Sequence, residues 1–284
     1  MPTIAIIAPG AMGSAVAARL TGHGARVLTS LTGRSGTTRA RAEAAGMVHA
    51  GDADLAAADL VLSILPPADA AALARRLAPS LAGAPRKPVY VDLNAVSPNT
   101  LHGIAATIAE TGTPFLDGAI LGHPPRPGAV GPRLYVSGPG TGPAMRLRDL
   151  GLDMRVCEGG IGAASALKMS YAGINKGLTA LAGLIVLGAE RSGAGAALRA
   201  ELAESEPELL ARFGRALPDM VPKAGRWVAE MGEIAGFLAP DAAGGQVFAG
   251  AAAFYDRLSS PAGADEVAAL EAFAEAAGRS SRTG

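Results

Sequence analysis

The sequence has few aromatic residues, a single cysteine and no net charge. Only 4% of its 284 residues are aromatic, so a buried core must be built mainly from Ala, Val, Leu and Ile. The one cysteine, Cys157, cannot form an internal disulfide, which fits a reducing compartment. Lys and Arg together number 25, as do Asp and Glu, so non-specific binding to nucleic acid is not expected.

Long hydrophobic runs are also missing, and we expect no secretory leader. The longest apolar run, residues 177–189, has about 13 residues, whereas a bilayer span needs about 20. The first apolar segment, Thr3–Ala8, reads as a strand and has no basic leader before it. Hydrophobic residues make up 49% of the chain, which excludes disorder. We therefore expect a soluble cytoplasmic protein with no membrane partner.

The chain divides into two regions by its pattern. Residues 1–158 alternate helical stretches with short β-rich runs, at Thr3–Ala8, Arg26–Thr29, Leu60–Leu65, Pro88–Leu93, Phe115–Ile120, Leu134–Ser137 and Met154–Val156. This alternation predicts βαβ units and a parallel sheet. After Gly159 only helices are predicted, at Ala163–Ala189, Ala196–Glu204, Glu206–Leu217, Pro222–Leu238, Gly244–Leu258 and Ala264–Ala277, with a frayed tail at Gly278–Gly284. We expect an N-terminal α/β domain over 1–158 and an all-α domain over 159–284, joined by the long helix.

A glycine-rich loop follows the first predicted strand and precedes a helix. It reads Ala8-Pro9-Gly10-Ala11-Met12-Gly13, which is the G-x-G-x-x-G spacing with alanine in the first glycine place. Gly10 would let the backbone approach a pyrophosphate, and Gly13 would let the helix pack closely on the strand. The position between strand and helix favours a dinucleotide site over an ordinary βα turn.

The end of the second strand indicates which dinucleotide is bound. Residues 24–42 contain no acid to bond a ribose 2′-hydroxyl, but they contain four arginines. Thr32, Arg34 and Ser35 lie where a 2′-phosphate would be, and a guanidinium with neighbouring hydroxyls suits phosphate oxygens. NADP(H) is therefore favoured over NAD(H). The alternative is that these arginines form a solvated helix face, as expected for Arg41 and Arg39.

Together these segments resemble the β-hydroxyacid dehydrogenases, in a superfamily with 6-phosphogluconate dehydrogenases and imine reductases. The resemblance rests on the glycine loop, on the segment Leu31-Thr32-Gly33-Arg34-Ser35, on Ser63-Ile64-Leu65-Pro66-Pro67 and on Asp92-Leu93-Asn94-Ala95-Val96-Ser97-Pro98. It implies a Rossmann-type N-terminal domain in which Leu65, Pro66 and Pro67 lie along the cofactor. It also implies that Asn94 and Ser97 lie near nicotinamide and substrate.

The predicted long helix carries the candidate catalytic lysine. Lys168 is the only charged residue between Gly159 and Asn175, on an otherwise small and apolar helix. The glycine-rich start of this helix and its lysine resemble the family's catalytic segment, which implies that Lys168 is a general acid or base. A structural lysine reaching solvent is the alternative. Helical spacing places Tyr171 and Asn175 on the same face, where either could orient a substrate.

Several positions depart from the family patterns. Asn175 replaces the glutamate that 6-phosphogluconate dehydrogenases use in decarboxylation, and an amide cannot deliver that proton. The family's Ser-Gly-Gly substrate loop is Leu121-Gly122-His123 here, where His123 either bonds the substrate or caps the loop. The four histidines show no metal-ligand spacing, so no metal site is expected.

The C-terminal region resembles a helical module of unassigned role found on some phosphogluconate-dehydrogenase-like proteins. Its only tryptophan, Trp227, is interpreted as lining the substrate cleft or, equally, as a core residue. The resemblance implies a homodimer in which the partner subunit completes the cleft.

The resulting hypothesis is hydride transfer between NADP(H) and a small hydroxyacid or ketoacid, with Lys168 moving the proton. The alternatives are an imine reductase, which generally lacks this lysine, and a catalytically silent NADP(H)-binding protein.

Overall fold

The computed structural model describes residues 1–125 and 131–280, with the side chains up to residue 278. The chain forms two compact units, Met1–Met169 and Ser170–Gly284. The described strands, all in the first unit, are β1 (Thr3–Ile7), β2 (Arg26–Thr29), β3 (Met47–His49), β4 (Leu60–Ser63), β5 (Val89–Asp92), β6 (Phe115–Leu121), β7 (Arg133–Ser137) and β8 (Asp153–Val156).

The described strands form one sheet in the order β3-β2-β1-β4-β5-β6-β7-β8. The strands from β3 to β6 pair in parallel, which confirms the predicted α/β class. However, β6 and β7 are antiparallel, with Asp117 opposite Ser137, so the sheet is not wholly parallel as predicted. A strand that returns without a crossover helix lies antiparallel, and the described residues between β6 and β7 contain no helix. The three-residue β3 was also missed, since so short a run has no readable period.

Helices cover both faces of this sheet. The α-helices of the first unit are α1 (Ala11–Gly22), α2 (Gly36–Ala44), α3 (Asp52–Ala56), α4 (Pro67–Gly83), α5 (Pro98–Ala109) and α6 (Gly142–Met145), before the long helix starts with α7 (Ala163–Ala172). Ile4 and Ile6 of β1 pack in one apolar cluster, while Ala5 and Ile7 pack in the other. This alternation explains why the strand sequences read as continuous apolar runs.

The predicted long helix is interrupted. After α7 the chain makes a π-helical turn at Gly173–Gly177 and continues as α8 (Leu178–Arg191). By length and composition the whole stretch Ala163–Arg191 could cross a membrane, with a mean hydropathy of 1.4 in its most apolar window. The prediction from residues 177–189 alone underestimated this, because the helix is longer than its uninterrupted apolar run. A core helix of a water-soluble protein passes the same test, and 44% of the window is buried.

The rest of the second unit is helical, as predicted. Its helices are α9 (Gly195–Ser205), α10 (Pro207–Met220), α11 (Ala224–Leu238), α12 (Ala242–Leu258) and α13 (Ala264–Ser280). The last helix continues to Ser280, beyond the expected start of a frayed tail at Gly278, and residues 281–284 lie outside the described residues. Trp227 and Tyr255 join α11 to α12 by an edge-to-face contact, with ring centroids 5.3 Å apart.

Candidate functional site

The candidate cofactor segments meet at one edge of the sheet. The loops after β1, β2, β4 and β5 all leave from carboxyl ends of parallel strands, so they lie on the same side. The strand order reverses between β1 and β4, because β2 lies on one side of β1 and β4 on the other. Such a reversal opens the crevice in which α/β proteins bind nucleotides.

The glycine loop between β1 and α1 has the backbone that an anion site needs. A Cβ placed on Gly10 would meet no atom within 4 Å, so the chain is open at this point. A Cβ on Gly13 would lie 2.1 Å from the carbonyl oxygen of Ala8, so only glycine fits there. No side chain caps the start of α1 at Gly10, which leaves the first N–H groups of the helix, from Ala11 and Met12 onward, for a ligand.

The loop after β2 presents exposed cationic and hydroxyl groups. Thr32 and Arg34 are exposed in the turn. The hydroxyl of Ser35 caps α2 by accepting from the Thr38 backbone N–H at 3.3 Å. Arg41, interpreted from sequence as solvated, is exposed, yet its guanidinium also donates to the carbonyl of Pro9 at 3.4 Å. Helix α2, which follows the β2 loop, is therefore hydrogen-bonded to the glycine loop by a contact that the sequence did not indicate.

A cavity of about 240 Å³ lies beside these loops. Its lining includes Ile7 at the end of β1, Arg34, and Leu65 at the end of β4, with the remaining lining residues Asp69, Ala72, Leu73 and Arg76 on α4. Ile7, Leu65 and Leu73 give this cavity apolar surface, and Arg34 and Arg76 contribute guanidinium groups that can stack on a planar heterocycle. Asp69 is an acid in this cavity that sequence reasoning did not single out, because it lies far along the chain from Arg34.

Asn94 joins the ends of β4 and β5. Its Nδ2 donates to the Ser63 hydroxyl at 2.7 Å and to the Asp92 carboxylate at 2.9 Å, while its Oδ1 accepts from the Leu65 N–H. Both amide donors are thus engaged inside the protein, and the residue is 2% exposed. The buried amide of Asn94 therefore links the loops that follow β4 and β5, and its expected place near nicotinamide and substrate stays a prediction. It holds Leu65 in place immediately before Pro66 and Pro67, the latter being the first residue of α4.

Asp92, whose carboxylate accepts a hydrogen bond from the Asn94 amide, is fully buried. Burial raises the pKa of its carboxyl group to about 7, although the two hydrogen bonds from Asn94 oppose the shift. The neighbouring carboxylate of Asp117, directly opposite on β6, also raises it.

Two candidate substrate residues lie at neighbouring strand ends. The hydroxyl of Ser97 is buried and caps α5 by accepting from the Thr100 N–H at 3.3 Å. His123 is exposed just beyond the end of β6, after Gly122. Ser97 therefore has a local structural role, whereas the imidazole of His123 is accessible.

Lys168 reaches the same edge of the sheet. Its side chain is half-buried and its Nζ donates to the carbonyl oxygen of Ile120, near the end of β6, at 2.7 Å. Because β6 is parallel to β5, this amine lies on the side of the sheet that carries the cofactor loops. The structure thus brings the Lys168 amine to the carboxyl end of β6, next to the loop that follows Leu121.

The start of the lysine-bearing helix is held by a residue that sequence reasoning missed. Asp117, on β6 and 0% exposed, accepts hydrogen bonds from the Gly162 and Ser165 backbone N–H groups and from the Ser165 and Ser137 hydroxyls, at 2.6–3.0 Å. The sequence contained one indication of such a residue. Glycine precedes this helix and has no side chain to cap it, so the acceptor for the first N–H groups had to come from elsewhere in the chain.

Tyr171 and Asn175 differ in their local structure. Tyr171 lies in α7, three residues after Lys168, as predicted, whereas Asn175 lies within the π-turn, where the predicted spacing of 3.6 residues per turn no longer holds. In the helical unit its Oδ1 accepts from Arg212 at 3.1 Å and its Nδ2 donates to the Tyr171 carbonyl at 2.8 Å. The Tyr171 side chain is 46% exposed.

Trp227 is a core residue of the helical unit. It is 8% exposed, packs on Tyr255, and has the Lys176 ammonium 5.0 Å from its ring centre. Lys176 forms a short ion pair with Glu230, and burial lowers the pKa of its amine against the raising effect of that carboxylate. Of the two interpretations, the structure favours the core residue over the cleft-lining one.

Comparisons with known proteins agree with this architecture. Residues 3–95 match the family model "NADP oxidoreductase coenzyme F420-dependent", and residues 189–258 match a domain of unknown function, DUF1932. This confirms the resemblance of the first region and the presence of a helical module of unassigned role. No curated protein matches the sequence significantly.

Solved structures extend the likeness over the whole chain. The conserved protein MTH1747, of unknown function and structurally similar to 3-hydroxyacid dehydrogenases, is 28% identical with a TM-score of 0.72, covering 94% of this chain and 99% of that one. A Mycobacterium tuberculosis 3-hydroxyisobutyrate dehydrogenase with L-serine is 21% identical, with a TM-score of 0.69 and coverages of 96% and 99%. A Myxococcus stipitatus imine reductase with NADP+ is 20% identical, with a TM-score of 0.51 and coverages of 87% and 93%. The last two likenesses concern the fold.

Proposed function

We propose that this protein is an NADP(H)-dependent oxidoreductase that acts on a small hydroxyacid or ketoacid, with Lys168 as its general acid and base. The observation that carries the proposal is the position of the Lys168 amine. It donates a hydrogen bond to the carbonyl of Ile120, at the carboxyl ends of the parallel strands, where the glycine loop also lies. An amine at the cofactor edge of such a sheet can exchange a proton with a bound alcohol or carbonyl.

The residues present fit a dinucleotide phosphate. The open backbone at Gly10 and the uncapped start of α1 would hold the pyrophosphate. The cavity between Leu65 and Arg34 would take the adenine, with Arg34, Thr32 and Ser35 toward the 2′-phosphate. When bound, the nicotinamide supplies or accepts the hydride.

Lys168 would work on the oxygen of the substrate. As an ammonium ion it donates a proton to the carbonyl oxygen of a ketoacid as the carbonyl carbon accepts the hydride, and as an amine it removes the hydroxyl proton of a hydroxyacid as the hydride leaves. The carbonyl of Ile120 holds the amine in one direction, which limits its motion between turnovers. His123, exposed one loop away, is the accessible side chain for orienting a substrate carboxylate.

The test compares Lys168→Ala with Lys87→Ala. Lys87 is a matched control because its amine also donates to backbone carbonyls, those of Leu81 and Ala82, near the start of β5 and away from the cofactor edge. Turnover of a panel of β-hydroxyacids, ketoacids and cyclic imines is followed by NADPH absorbance, and cofactor binding by fluorescence titration.

We expect Lys168→Ala to lose turnover by at least about a hundredfold while keeping its affinity for NADPH, and Lys87→Ala to retain both. Full turnover in Lys168→Ala would exclude Lys168 as the general acid and base. Turnover of imines alone would favour the imine reductase. NADPH binding without turnover of any compound would favour the silent binding protein.

We also propose that the protein is a homodimer, formed through the exposed apolar face of the long helix in the second unit. Ile174, Leu181 and Ile185 are 67%, 56% and 57% exposed there, and a groove of about 810 Å³ continues along Leu184 and Ile185. Contiguous exposed apolar surface of this kind marks protein interfaces. Light scattering should show a dimer for the native chain and a monomer for Leu181→Glu/Ile185→Glu. A monomeric native chain would contradict the proposal.

A further inference from the structure

The helix that carries Lys168 has no capping residue of its own. It starts at Ala163, and the preceding Gly162 has φ +107°, a conformation that favours glycine and leaves no side chain to accept from the first N–H groups. Buried N–H groups at a helix start are costly unless they find an acceptor.

Two neighbouring strands supply the missing acceptors. Asp117 on β6 accepts from the N–H groups of Gly162 and Ser165, both at 3.0 Å. Ser137 on β7 accepts from the N–H of Ala164 at 3.0 Å and donates its own proton to Asp117 at 3.0 Å. The Ser165 hydroxyl adds the shortest bond, 2.6 Å to the second carboxylate oxygen.

This arrangement links the cap to the lysine. Ser165 and Lys168 are three residues apart on α7, so they lie on one face, about one turn apart. Asp117 and Ile120 are also three residues apart, on β6. The Asp117 carboxylate accepts a hydrogen bond from Ser165, and the Ile120 carbonyl accepts one from Lys168. The strand thus fixes the helix at two points, one at its capped end and one at the amine itself.

We propose that Asp117 is a positioning residue that places the Lys168 amine by capping its helix from β6. This inference rests on the proposed function for its kinetic consequences, but the cap itself is testable without turnover. A carboxylate suits the position because it offers two oxygens to four donors and lies at the positive end of the helix dipole. A shift of the helix start by a fraction of an ångström would move the amine relative to a bound substrate.

The experiment uses Asp117→Asn and the milder Ser165→Ala. The asparagine has nearly the same shape but lacks the negative charge and one of the two acceptor oxygens, whereas Ser165→Ala removes only the 2.6 Å bond. Thr113→Ala is the matched control, because it deletes a buried hydroxyl bonded to Thr111 at 2.8 Å, away from the helix. Three quantities are measured: amide hydrogen exchange at residues 162–168, the rate and pH profile of Lys168 acylation by mass spectrometry, and the kinetic constants.

We expect hydrogen exchange at the helix start to accelerate by about tenfold or more in Asp117→Asn and by less in Ser165→Ala. We expect the pH midpoint of Lys168 acylation to shift and kcat to fall about tenfold to a hundredfold, with the Kd for NADPH unchanged. Thr113→Ala should match the native protein in all three measurements.

Two outcomes would overturn the proposal. Unchanged hydrogen exchange in both variants would show that Asp117 does not stabilise the start of the helix. An accelerated helix start with native acylation of Lys168 would show that the cap does not place the amine. If Asp117→Asn does not fold, Ser165→Ala decides by the same criteria. Failure of the proposed function is distinguishable, since it would appear as turnover in Lys168→Ala, while exchange and acylation still report on the cap.

Discussion

The buried carboxyl group of Asp92 should make the stability of the protein depend on pH near neutrality. Burial raises its pKa from an ordinary 3.8 to about 7 in the folded protein. At about 1.36 kcal/mol per pKa unit, this corresponds to about 4 kcal/mol. Below pH 3.8 the group is neutral in both the folded and the unfolded chain, so its ionisation contributes nothing to the free energy of unfolding.

The sign follows from which state holds the proton. Between pH 3.8 and about 7 the folded chain keeps the Asp92 proton that the unfolded chain releases, so stability falls as the pH rises. Above pH 7 both states are ionised and the loss is complete. The variant Asp92→Asn cannot ionise, so its stability lacks this contribution. Its altered hydrogen bond to Asn94 adds only an offset that does not depend on pH.

Urea denaturation between pH 4 and pH 8 measures this effect. The free energy of unfolding of the native protein, relative to Asp92→Asn, should fall by up to about 4 kcal/mol across that range. Asp59→Asn is the contrast, because hydrogen bonds from Thr3 and Arg86 lower the pKa of Asp59 below 3.8, so the stability it contributes is lost only at lower pH and its difference from the native protein should stay constant between pH 4 and pH 8. A constant difference between the native protein and Asp92→Asn would refute the reasoning from burial.

Three further changes test separate parts of the structure. Gly13→Ala should lower the free energy of unfolding by about 1–3 kcal/mol in urea titrations, because its Cβ would lie 2.1 Å from a backbone oxygen. Gly10→Ala, whose Cβ would meet no atom within 4 Å, should fold normally and bind NADPH more weakly. Arg34→Ala should raise the Kd for NADPH about tenfold to a hundredfold in fluorescence titrations and leave that for NADH unchanged; equal losses would contradict a 2′-phosphate contact. In the helical unit, Lys176→Met should lower the free energy of unfolding by up to about 3 kcal/mol, because the Glu230 carboxylate would keep only its longer contact with Arg226, at 3.7 Å, and Lys176→Met/Glu230→Leu should recover most of it; an additive double variant would show that the pair is uncoupled.

The features that the sequence predicted are local in the chain. A strand, a glycine loop and a helix follow one another within the first 22 residues, so the spacing of Gly10 and Gly13 was sufficient to predict this strand–turn–helix unit, and its binding of an anion stays a prediction. The position of Lys168 was predicted by contrast with its apolar neighbours. The boundaries of the later helices followed from apolar periodicity and from breakers such as the prolines.

The features that the sequence did not predict depend on residues far apart in the chain. The antiparallel β7 and the cap on the lysine helix both depend on which strands become neighbours. The π-turn is tied to packing in the helical unit: the Tyr255 hydroxyl donates to the Lys176 carbonyl, and Phe248 packs against Gly173 and Gly177.

The sequence by itself determined the αβ-then-α order, the glycine loop, the cationic β2 loop and the lysine, because each depends on residue types at short spacing. Only the tertiary structure decided how the polar groups between them are used. It showed that Asn94 braces two loops, that Asp92 is buried enough to hold a proton near pH 7, and that Asp117 caps the helix of Lys168. Burial and hydrogen-bond partners belong to the folded chain, since they arise when β5, β6 and α7 come together.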